Sequence, residues 1–130
     1  MREIKVRAWY KPYKQMCQVE SLRFDGNGVY TAVLIEESFY DRRLVEADEI
    51  VIEQFTGLKD RNGTEIYEGD IVKYDDNVGK VFYDSEQACF NVSGFYDGLQ
   101  DYPTMAFSEC ANIGMEVIGN IHEMNTEEIK

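Results

Sequence analysis

The chain is 130 residues long, 44% hydrophobic and 29% charged, which suits one ordinary globular domain with its own core and is too apolar for a disordered segment. Thirteen Lys and Arg stand against 25 Asp and Glu, and the resulting formal net charge of -12 repels nucleic-acid backbones and anionic lipid surfaces at long range. General nucleic-acid and membrane binders are therefore disfavoured.

Met1 to Arg7 interleaves charges with apolar residues and contains no secretory h-region. No apolar run approaches the roughly 18 to 20 residues that cross a bilayer, so a cytoplasmic protein without membrane contact is expected. Ile4, Val6 and Ala8 alternate with Glu3, Lys5 and Arg7, a period of two that predicts a strand buried on one face. A second strand is expected around Gln15 to Val19 and a third around Leu22 to Phe24. Asp25-Gly26-Asn27-Gly28 then supplies hairpin chemistry, and Val29 to Ile35 returns. Ser38 followed by Asp41, with Tyr40, Leu44 and Ala47 at helical spacing, predicts a short helix over 38–48. The β-branched triplet Ile50-Val51-Ile52 makes the chain extended again.

From Gln54 onward, Gly57, the cluster Asp60-Arg61-Asn62-Gly63 and Glu68-Gly69-Asp70 divide the chain into short extended pieces. Ile71 to Tyr74 reads as a strand, Asp75-Asp76-Asn77 as a turn, and Gly79 to Tyr83 as the partner strand. Ala88 to Phe95 and Met115 to Ile121 supply two more, and Pro103 opens an irregular connection with one helical turn over Thr104 to Ala111. Residues 124–130 carry little apolar content and are expected to fray. Short, closely spaced strands with turn residues between them predict a mainly β fold of barrel or sandwich type, with one or two short helical turns and no βαβ unit. No internal sequence repeat is evident, and two subdomains are expected to meet near Phe55.

Catalytic and metal constellations are weak. Cys17, Cys89 and Cys110 are odd in number and widely spaced, which fits reduced packing thiols better than a disulfide framework or a zinc site. Asp60-x-Asn62-Gly63 superficially matches a calcium loop, but Gly63 stands at the fourth position where that loop requires its glycine at the sixth. His122 is the only histidine, and no glycine-rich phosphate loop occurs. The paired acids Glu36-Glu37, Asp48-Glu49, Asp75-Asp76 and Glu127-Glu128 read as solvated turns and not as a glycosidase dyad. No catalytic residue, metal or cofactor is expected. Charge is distributed unevenly: five of the 13 basic residues but only one of the 25 acids lie in residues 1–14. Arg2, Lys5, Arg7, Trp9, Tyr10 and Lys11 thus form a candidate interaction surface. A protected edge strand or a subunit contact explains it better than stacking on a nucleic-acid strand.

Phe55-Thr56-Gly57-Leu58-Lys59-Asp60-Arg61-Asn62-Gly63-x-Glu65-Ile66-Tyr67-Glu68-Gly69-Asp70-Ile71-Val72 resembles the signature of the YopX family, with Arg61 where a lysine is usual. The opening Arg2-Glu3-Ile4-Lys5-x-Arg7-Ala8-Trp9 and the closing Glu116-Val117-Ile118-Gly119-Asn120-Ile121-His122-Glu123 are similar to it as well, although Tyr10 stands where an acid is common. The resemblance implies a protein of bacteriophage or prophage origin whose C-terminal part, residues 56–123, is an SH3-like barrel following a β-rich subdomain over 1–55. It carries over no catalytic residues. Gly57, Asn62, Gly63, Gly69 and Asp70 are accordingly read as a structural turn motif. The expected function is that of a non-enzymatic accessory protein acting in the bacterial cytoplasm through contacts with itself or with a host or phage protein. The alternative is a nucleic-acid-linked role, either weak binding through the basic first strand or acidic mimicry of DNA.

Overall fold

The structure, a computed structural model, describes residues 4–35, 42–74, 77–94, 105–106 and 114–124. It is mainly β, with antiparallel pairing throughout, and it divides into two compact units: Lys5–Gln54, and Phe55–Lys130 together with Met1–Ile4.

In the first unit β1 (Val6–Tyr10), β2 (Gln15–Asp25), β3 (Gly28–Ile35) and β4 (Arg42–Glu46) form a meander. A 3-10 turn, Ala47–Glu49, leads into β5 (Ile50–Lys59), whose first half returns to pair with β1, giving the strand order β4-β3-β2-β1-β5. Register collects the apolar residues on one face: Ala8 lies opposite both Cys17 and Ile52, Tyr10 opposite Ile50, and Ala32 opposite Val45. These residues and Leu34 make the core of this unit, with Val19, Leu22 and Ile52 packed against it.

Three expectations change here. The second and third strands are one continuous β2, whose register against β3 shifts between Val19 and Ser21 and again between Arg23 and Phe24. Such bulges exchange which residues face inward and so interrupt the period of two. The helix predicted over 38–48 is replaced over 42–46 by β4, while Ser38, Tyr40 and Asp41 lie outside the described residues. Five unshifted pairs with β3 turn Val45 inward against Ala32 and leave Leu44 outward, 71% exposed; tertiary pairing overrides the helical spacing of Leu44 and Ala47. Finally, β1 is not buried on one face alone, because the neighbours Trp9 and Tyr10 are 8% and 5% exposed.

In the second unit the latter half of β5 pairs with β6 (Glu65–Tyr67). The sheet that follows contains β7 (Asp70–Tyr74), β8 (Asn77–Asp84), β9 (Cys89–Gly94), β10 (Met105–Ala106) and β11 (Glu116–Asn120), in the order β10-β9-β8-β7-β11. It repeats the topology of the first unit, a four-strand meander with the fifth strand set against the first. Its core is Ile66, Val72, Val81 and Met115, flanked by Leu58, Phe90, Val92 and Val117. Gly57 does not end a strand. It lies within β5 at φ +89°, where register against β6 shifts between Phe55 and Lys59, and a glycine accepts that conformation without a Cβ penalty. Met105 and Ala106, expected in a helical turn, are strand; the rest of that stretch and residues 125–130 lie outside the described residues. Among the described residues β4, β6, β10 and β11 each pair with one neighbour only, and no helix is long and apolar enough to cross a membrane.

Candidate functional site

The motif from Phe55 to Val72 is organised around Asp60, which is 7% exposed. As in any Asx turn, the short carboxylate folds back onto the following backbone: Oδ1 accepts from the N–H groups of Asn62 (2.8 Å) and Thr64 (2.9 Å). The main chain closes the same loop, with Asp60 N–H donating to Thr64 O at 2.8 Å and Gly63 N–H to Asp60 O at 3.0 Å. Oδ2 reaches across the unit and accepts from the Val117 N–H of β11 at 2.9 Å. Burial alone pushes the carboxyl pKa up, but the three N–H donors of Val117, Thr64 and Asn62, aided by the charge of Arg61, outweigh it and hold the group below the usual carboxylate range.

The second half of the motif makes a parallel set of contacts. Gly69, at φ +85°, donates its N–H to Val81 O of β8 (2.8 Å) and accepts from Ile121 N–H (2.9 Å). Buried Asp70 accepts from Tyr67 N–H at 2.8 Å and lies opposite Asn120 in the ladder between β7 and β11. Asn120 Oδ1 in turn accepts from the N–H groups of His122 (3.0 Å) and Glu123 (3.1 Å). Thr56 Oγ1 donates to Ile66 O at 2.7 Å, and Arg61 N–H donates to Met115 O at 3.1 Å. The central motif and the closing stretch Glu116 to Glu123, more than forty residues apart in sequence, therefore form one hydrogen-bonded clamp. The carboxylates of Asp60 and Asp70 and the amide oxygen of Asn120 accept from backbone N–H groups, a geometry that fixes loops.

The candidate surface on β1 is divided by the fold. Arg2 lies outside the described residues, Lys5 and Lys11 are exposed, and Trp9 and Tyr10 are buried. The half-buried Arg7 donates from Nε to Oε1 of buried Glu53 at 2.9 Å. Lys11 Nζ contacts Asp48 O at 3.2 Å. Tyr13 packs edge-on against Tyr10, with the Arg43 guanidinium 4.7 Å from its ring centroid. Asn62 and Gly63 are exposed in their loop, and half-buried His122 follows the Asn120 turn. Cys17 is buried and Cys89 half-buried, both as free thiols, and Cys110 lies outside the described residues. Of the paired acids, Asp48 and Glu49 join Glu46 in a cluster whose carboxylate oxygens lie within 4.8 Å of one another, and the other three pairs fall outside the described residues.

Sequence reasoning gave no role to Thr56, Glu53 or Asn120. Two of them carried a faint signal: a charged residue directly after the apolar run Ile50-Val51-Ile52 for Glu53, and an Asx turn residue at a strand end for Asn120.

Comparison with known proteins places these features in context. The family model described as YopX protein matches residues 5–127. The crystal structure of protein EF1440 from Enterococcus faecalis is similar to this chain at 29% sequence identity and TM-score 0.63, covering 100% of each chain. No curated protein matches it.

Proposed function

The chain belongs to the YopX protein family, and from that premise we propose that it is an accessory protein of bacteriophage or prophage origin that acts in the bacterial cytoplasm through protein contacts, without catalysis. One observation carries this reading: the carboxylates of its most distinctive motif, Asp60 and Asp70, and the amide oxygen of Asn120 in the closing stretch accept hydrogen bonds from backbone N–H groups, so these residues serve shape. The strand order of the second unit, a four-strand meander with the fifth strand set against the first, supports reading residues 56–123 as a variant of the SH3-like barrel, a fold that does not by itself fix a function. Burial of Trp9 and Tyr10 favours the protein-contact reading over stacking of a nucleic-acid strand on the basic β1.

The test is affinity capture of the tagged full-length chain from cells carrying an induced prophage, with partners identified by mass spectrometry. A stoichiometric phage or host protein, or a second copy of the chain, is expected. DNA binding that weakens steeply with salt and with the Lys5→Glu, Arg7→Glu double substitution would replace this reading with the nucleic-acid one.

A further inference from the structure

The strand β4 is an open sheet edge that carries charges of both signs. Among the described residues it pairs only with β3, over five consecutive positions from Arg42 opposite Ile35 to Glu46 opposite Thr31, without a bulge. Its sequence, Arg42-Arg43-Leu44-Val45-Glu46, contains no proline and no lysine, and its outward face presents an exposed leucine beside half-buried Val33 and exposed Ile35. With Arg42 and Glu46 flanking Leu44 on that face, the edge is guarded against indiscriminate pairing and accepts a strand whose charges complement its own.

Charge identifies the strand that fits. If a second β4 approaches antiparallel with Leu44 opposite Leu44, position 42 of each copy lies opposite position 46 of the other. Two Arg–Glu cross-strand pairs then flank the central leucine pair, all on the outward face. A register shifted by two residues would lose both of these pairs. The acceptor side is charged for the purpose: exposed Glu46 stands in the cluster with Asp48 and Glu49, an accumulation of negative charge that an incoming guanidinium neutralises. On the donor side the Arg42 side chain is 72% exposed and meets Glu20 at 3.0 Å, a surface contact of the kind that is readily exchanged.

We propose that two copies of this chain associate through their β4 edges, antiparallel and centred on Leu44, with Arg42 of each copy facing Glu46 of the other. The proposal rests on the reading that the protein acts through protein contacts, and it specifies one partner. Five residues make a small interface, so the dimer is weak and concentration-dependent.

Sedimentation equilibrium of the full chain, from micromolar to hundreds of micromolar, is the test. The native chain is expected to dimerise. Arg42→Glu and Glu46→Arg each replace two attractive cross-strand pairs with two repulsive ones, and each should raise the dissociation constant roughly tenfold or more. An equimolar mixture of these two variants should recover dimers, because the charges are again opposite in the heterodimer. Circular dichroism confirms that each variant is folded. Leu44→Cys, a change at an exposed side chain, adds a geometric check: directly opposed Cα atoms in an antiparallel pair lie ~4.5–5.5 Å apart, within disulfide range. Oxidised glutathione should link this variant into a covalent dimer, two thiols giving one disulfide while glutathione is released, and should leave the native chain unlinked. A strict monomer, a mixture that stays monomeric, or an unlinked Leu44→Cys variant would overturn the proposal. A dimer indifferent to both charge reversals would overturn it while leaving the protein-contact reading intact, since that reading fails only if capture returns neither a partner nor a second copy.

Discussion

Each unit contains an Asp-x-Asn-Gly turn, Asp25 to Gly28 in the first and Asp60 to Gly63 in the second, and the two turns differ in what the aspartate reaches. Asp25 is exposed, and its Oδ1 accepts the Asn27 N–H of its own turn at 2.7 Å. Asp60 makes the same local bond to Asn62 and adds Thr64 and, across the unit, Val117. Identical turn chemistry thus serves a local hairpin in one place and a long-range clamp in the other. The cores differ accordingly. Among the described residues, the first unit has an apolar cluster of Ala8, Tyr10, Cys17, Ala32, Leu34, Val45 and Ile50 and a buried carboxylate, Glu53, that pairs with the side chain of Arg7, whereas the buried Asp60 and Asp70 of the second unit, beside its cluster of Ile66, Val72, Val81 and Met115, accept from backbone N–H groups.

Asp60→Ala should give the largest effect. It removes an ionised acceptor from three N–H groups, two in the loop and one in β11, and should cost about 3–4 kcal/mol in urea denaturation. Gly69→Ala should cost about 1–2 kcal/mol, because φ is +85° at a residue whose N–H and C=O are both engaged. Acid should distinguish the two units next. The pKa of Asp60 is lowered in the folded state, so the unfolded chain takes up its proton first as pH falls below about 4. The stabilisation from Asp60 is then complete above that ordinary value and lost as pH falls through the depressed one. Stability measured between pH 6 and pH 3 should fall less steeply in Asp60→Ala than in the native chain. Smallest is Asp25→Ala, about 0.5–1 kcal/mol for one exposed turn hydrogen bond. An Asp25→Ala cost equal to that of Asp60→Ala would erase the distinction between the turns.

The sequence made some of this legible and concealed the rest for identifiable reasons. β3, β7, β8, β9 and β11 are readable because alternation is flanked by Gly, Asn and Asp turns, and a mainly β fold follows from them. β2 reads as two strands because its bulges at Ser21 and Phe24 shift the inward-facing set. β4 is ambiguous in principle: Leu44 and Ala47 fit a helical period, and only pairing with β3 reveals Val45 as the inward residue. The long-range role of Asp60 is invisible to local reasoning, since an aspartate before Asn-Gly is fully explained by its own turn and Val117 lies fifty-seven positions away. Trp9 and Tyr10 mislead for a related reason. Neighbouring residues on a strand point to opposite faces, and the sequence does not show that both faces of β1 are covered there.

Hydrogen exchange at individual amides tests most directly the claim that the distinctive motif is an architectural clamp. In the Asp60→Ala variant, whose methyl group offers no acceptor, protection of the Val117 and Thr64 amides should fall sharply while that of Leu34 in the first unit stays at its native level. Unchanged protection at Val117 in the folded variant would contradict the account.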